Sequence, residues 1–121
     1  MTDIGDIMKN IHLNLRAIIS LFVLMTLIGC TTIQIGKNFK LQSFTSNAEL
    51  GKTNKQQVIK WLGKPMSTGV ALKADGQRLD EWSYFYGTGN LPNMENAKIK
   101  TLQIRFNNKD VLHSYNSTGE N

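Results

Sequence analysis

The chain has no second cysteine to pair with Cys30, so an intramolecular disulfide is excluded. It also lacks histidine where catalysis would need it: beyond the first 29 residues only His113 is left, near the C-terminal end. A hydrolytic triad needs a base held between a nucleophile and an orienting acid, and a single terminal histidine offers no such set. Asp80, Glu81 and His113 have no spacing typical of metal ligands, and Gly87-Thr88-Gly89 lacks the continuation of a phosphate-binding loop. The basic residues are scattered and have no interleaved aromatics, which argues against nucleic acid as a partner. No cofactor is implied, and the chemistry reads as binding rather than catalysis. Internal repeats and low-complexity segments are absent as well.

The chain also has no apolar run of the roughly 20 residues that a comfortable membrane span requires. It has a shorter one. Ala17 to Ile28 reads AIISLFVLMTLI, 12 residues without a charge, preceded by Lys9 and Arg16. A charged segment followed by a short apolar one is the pattern of an export signal, with Met8 as an alternative start. Leu27-Ile28-Gly29-Cys30 closes the run and resembles the bacterial lipobox, in which the thiol of the last residue receives diacylglycerol after cleavage in front of it. This resemblance implies a signal peptide over 1–29, a palmitate-type lipid anchor on Cys30 and, with Thr31 rather than aspartate next, delivery to the periplasmic face of the outer membrane. Two or more acyl chains, at about 0.8 kcal/mol per buried methylene, hold a protein stably at a bilayer.

Removing 29 of the 121 residues leaves 92, with 12 basic and 7 acidic side chains and an unchanged net charge of +5. That length suits one small domain with a modest core. Residues 30–43 read as a lipidated tether, because TTIQIGKNFKLQ has no helical periodicity. Ser46 and Glu49 match a capping box for a short helical turn ending near Gly51. Thr53 to Gln56 repeats the pattern before Val58, Trp61 and Leu62, which share a helix face, and Gly63 and Pro65 stop that helix.

Period-two alternation then takes over. Thr68, Val70 and Leu72 lead to a turn at Lys73 to Gly76, and Trp82, Tyr84 and Tyr86 share one face of the next strand while Glu81, Ser83 and Phe85 share the other. The Trp82 face is expected to meet the helix. Gly87 to Asn96 reads as a loop, Leu102 to Phe106 as a strand and Asn107 to Asp110 as a turn, with the chain fraying as a polar tail from Ser114 and 117–121 disordered. Helices followed by strands make an α+β domain over 44–116: two short N-terminal helices on a small antiparallel meander.

Several of these motifs occur in a familiar order. Leu50-Gly51-Lys52-Thr53, Gln57-Val58 and Leu62-Gly63-Lys64-Pro65, then Glu81-Trp82-Ser83-Tyr84, then Leu102 to Asn107 with Val111, resemble the SmpA/OmlA (BamE-like) family of small outer-membrane lipoproteins. The resemblance implies that family's helix-and-sheet fold and a non-catalytic scaffold or accessory role in β-barrel outer-membrane protein assembly. Ile33-Gln34-Ile35-Gly36 resembles the family's isoleucine-glutamine-x-glycine segment, which lies near partner subunits and anionic phospholipid. Ile33, Gln34, Gly36 and Phe39 are therefore contact candidates, joined by Phe85 and Tyr86 on the aromatic strand. A stand-alone envelope binding module, an inhibitor or interaction factor with the same fold, is the alternative.

Overall fold

The computed structural model describes residues 3–25 and 29–119. Leu27 and Ile28 of the lipobox-like motif lie outside the described residues; Gly29 and an exposed Cys30 lie within them. The chain divides into two units, at Thr31 and Thr32.

The first unit contains one helix, α1, Ile4–Met25. None of its residues is buried, although Ile18, Ile19, Leu21, Phe22, Val23 and Leu24 all lie on it. At 1.5 Å per residue its 22 residues span roughly 33 Å. By length and composition the helix can cross a membrane, a test that a signal sequence also passes.

The second unit is an α+β domain. Strand β1 (Thr32–Gly36) is followed by helices α2 (Leu41–Thr45) and α3 (Lys55–Leu62), then by β2 (Ser67–Leu72), β3 (Arg78–Asn90), β4 (Glu95–Phe106) and β5 (Leu112–Thr118). All pairings are antiparallel: β2, β3, β4 and β5 follow one another as a meander, and β1 joins the half of β3 that β2 leaves free.

Helix α3 begins one residue later than the sequence pattern suggests. Asn54, not Thr53, is the cap: its side chain accepts from the Gln57 amide, and Gln57 accepts in return from the Asn54 amide, both at 2.9 Å. Thr53 is buried instead, and its backbone oxygen accepts from the Leu112 amide at 2.7 Å, binding the helix entry to β5. Gly63, at φ +78, ends α3 as expected.

The earlier helix differs from expectation. It is not a turn capped by Ser46; it is α2, which ends there, and Glu49 pairs with Lys52 at 2.8 Å. Leu41 and Phe44, three apart on α2, are both buried, and their packing outweighs the weak local signal. With α1 counted, the described residues hold three α-helices.

The core lies between α2, α3 and one face of the sheet, around Phe44, Val58, Leu62, Tyr84, Leu102, Ile104, Phe106 and Leu112. Phe44 meets Tyr115 of β5 edge to face at a centroid distance of 5.0 Å. Trp82 faces the helices as expected, and packs on Phe106 at 4.9 Å while staying half-buried. Three further expectations change. The segment 30–43 supplies β1, α2 and the buried Phe39, so little of it hangs free. Gly87 to Asn96 is not one long loop, because β3 continues to Asn90 and only Leu91 to Met94 turn before β4. Ser114 to Thr118 belong to β5, held by the pairing of Thr101 with Thr118 and a 2.6 Å hydroxyl contact between their side chains.

Candidate functional site: the β1 end of the sheet

Strand β1 follows Cys30 after one residue, so the end of the sheet it occupies is the part of the domain nearest that cysteine along the chain. Its register decides which contact candidates share a face. Gly36 lies opposite Tyr86, Gln34 opposite Thr88 and Thr32 opposite Asn90, on the face that carries the helices. Ile35 opposite Gly87 and Ile33 opposite Gly89 lie on the other, open face with Phe85. The six candidates are thus split between two surfaces and the interior. Phe39 is 5% exposed and packs on Tyr84 at a ring distance of 5.6 Å, so its ring belongs to the core. Gly36 has a structural role: at φ +77, a Cβ there would collide with the carbonyl oxygen of Phe85.

On the helix-side face the end of the sheet forms a cleft of about 320 Å³, lined by Asn38, Tyr86, Thr88, Asn90, Asn96, Lys98 and Lys100. Lys100 is its most unusual member. It is 6% exposed, and its ammonium group donates to the Phe39 carbonyl at 2.6 Å while lying 5.3 Å and 5.4 Å from the ring centroids of Phe39 and Tyr86. Removing an ammonium ion from water is costly, and one carbonyl with two ring faces compensates only in part. Among the described residues neither Lys98 nor Lys100 has a carboxylate partner. The result is a pocket of positive charge with neutral hydrogen-bonding walls, suited to an anionic group. A smaller hollow of about 170 Å³ on the adjoining edge repeats the theme, with Lys37 and Lys64 over Leu62, Tyr84 and Pro65.

Sequence reading missed Lys98 and Lys100 because the loop assigned to Gly87–Asn96 hid the start of β4, and Asn38 because it lay in the segment read as a tether. A signal was available. The alternation of Leu102, Ile104 and Phe106 extends backward without a break to Lys100 and Lys98, which places both lysines on the helix-side face.

The carboxylates singled out as candidate ligands are engaged elsewhere. Asp80 accepts from Lys55 at 2.6 Å, and Lys55 also meets Asp110 at 2.7 Å. Burial lowers the pKa of Lys55, but the hydrogen bonds it donates to Asp110 and Asp80, with the attraction of their charges, outweigh burial and leave the ammonium above the ordinary lysine range. Glu81 accepts from Arg105 at 2.9 Å on the open face, away from Asp80. Tyr84 donates to the Gly63 carbonyl at 2.9 Å, and its burial pushes the phenol up to about 12. Among the described residues no group of three histidine, cysteine, aspartate or glutamate side chains gathers as for a metal. The chain matches no protein-family model and no curated protein.

Proposed function

We propose that this chain is a lipid-anchored, non-catalytic adaptor on the periplasmic face of the outer membrane, where it supports β-barrel outer-membrane protein assembly as an accessory subunit. The observation that carries this reading is the lysine-lined cleft at the end of the sheet that β1 occupies, β1 being the strand that follows Cys30 after one residue. A lipid on Cys30 would confine the domain to a thin layer, so that a small interface sees its partner at high effective concentration. Acidic side chains of an assembly subunit, or anionic phospholipid, are the groups Lys98 and Lys100 would bind, with Tyr86 lining the cleft and Gln34 paired with its neighbour Thr88. Two helices laid on one face of an antiparallel meander support the BamE-like arrangement that the motifs from Leu50 to Val111 resemble.

The test is photo-crosslinking in living cells from Gln34 and Tyr86, with captured proteins read by mass spectrometry. Barrel-assembly subunits are the expected catch. Repeated capture of one soluble envelope protein, with none of those subunits, would shift the function to a stand-alone binding module. Labelling with a palmitate analogue checks the anchor separately: the wild type takes up label and Cys30→Ser does not.

A further inference from the structure

The open face of the sheet is divided by polarity. Toward β2 and β5 it carries the Arg105–Glu81 ion pair, Gln103 bonded to Arg105 at 3.3 Å, and Ser83. Toward β1 it is apolar. Ile33, Ile35, Phe85, Met94 and Ile99 meet there over a floor of two glycines: the Phe85 ring lies over Gly87 and the Met94 side chain over Gly89, with Ile35 and Ile99 on either side of Gly87. Ile35 is 54% exposed and Ile99 59%, an unusual amount for isoleucines in paired strands. Contiguous apolar surface of this kind marks an interaction site, and the glycines keep it flat.

We infer that this apolar half-face seats in the headgroup region of the bilayer, fixing how the domain stands on the membrane. The inference rests on attachment at Cys30. Ile33 is three residues from that cysteine and Ile35 five, so even a fully extended chain holds them within roughly 10 Å and 17 Å of the anchored atom. Interfacial segments bury their apolar faces about 5–10 Å into the boundary between headgroups and acyl chains. An anchor at Cys30 therefore brings the bilayer to this end of the sheet. The polar half-face, with Gln103 and Asn116 paired across β4 and β5, stays in water.

The full chain, lipidated at Cys30, is reconstituted in phosphatidylethanolamine vesicles containing phosphatidylglycerol. Lipidation consumes its only native thiol, so single substitutions Ile35→Cys, Ile99→Cys, Gln103→Cys and Asn116→Cys each offer one site for an environment-sensitive fluorophore. Labels at 35 and 99 should shift to the blue and be quenched several-fold more by spin-labelled lipid than labels at 103 and 116. Vesicle-bound protein with equal quenching at all four positions would overturn the seating and leave the anchor intact. A disulfide dimer of Ile99→Cys without quenching would give the face to a second copy instead. Failure of the unlabelled protein to float with vesicles would remove the anchor, and the inference with it.

Discussion

Gly36 shows how one residue closes the sheet. Its positive φ lets β1 turn away after pairing with Tyr86, and the space where a side chain would begin is filled by the Phe85 carbonyl. Gly36→Ala should thus cost more than the ~1 kcal/mol of an ordinary glycine replacement at positive φ. Chemical denaturation followed by tryptophan fluorescence measures it; an unchanged midpoint would show that β1 tolerates displacement. Tyr84 makes a different kind of contribution. Its folded pKa, about 12, lies above the usual 10, so the native state holds this proton more tightly than the unfolded chain does. The stability it contributes is complete below pH 10 and is lost as pH rises toward 12. Tyr84→Phe, which forfeits the bond to Gly63, should be less stable by about 1 kcal/mol near neutrality. The gap from wild type should narrow between pH 10 and 12, and a gap independent of pH would mean the phenol is not held as described.

At the scale of elements, α3 is fastened at its first residue. Lys55 reaches Asp80 on β3 and Asp110 in the turn between β4 and β5, and it lies 5.7 Å from the ring centroids of both Trp82 and Phe106. Its stem is largely covered while both carboxylates remain partly in water, so each ion pair contributes at the lower end of the scale, about 0.2–1 kcal/mol. Lys55→Met keeps the packing of the stem and removes the charge. A loss of about 1–2 kcal/mol is expected from two pairs and the ring contacts together, shrinking in high salt. A difference that salt leaves untouched would assign the role of Lys55 to packing alone. The capping pair Asn54 and Gln57 acts locally, by satisfying backbone donors that α3 would otherwise leave open.

At the scale of the molecule, the sheet has two differently dressed ends. One half of β3 pairs with β2 and the other with β1, and the β1 half gathers the cationic cleft on one face and the aliphatic patch on the other. Both surfaces lie at the end joined to Cys30, which is why the proposed anchor and the proposed contacts converge there.

Much of this was legible from local pattern. The α+β class, the face shared by Trp82, Tyr84 and Tyr86, the turns at Lys73–Gly76 and Asn107–Asp110 and the stop at Gly63 all follow from period, capping and turn chemistry, which depend on neighbours in sequence. What only the tertiary structure decided concerns residues whose partners are distant. Thr32 to Gly36 has weak strand character alone, and becomes a strand because β3 is long enough to offer it a distant edge, as in the pairing of Gln34 with Thr88, 54 residues away. Gly87 and Gly89 read locally as loop residues, yet Gly87 is held extended between β1 and β4, and Gly89 pairs with Ile33 of β1 where the register to β4 shifts. Phe39 looks like a tether residue until Tyr84 and Lys100 close over it, and Lys100 looks like a surface lysine until that same closure buries it. Hydrophobic period and capping act over a few residues, whereas edge pairing and burial are settled by whichever segment the rest of the fold brings alongside.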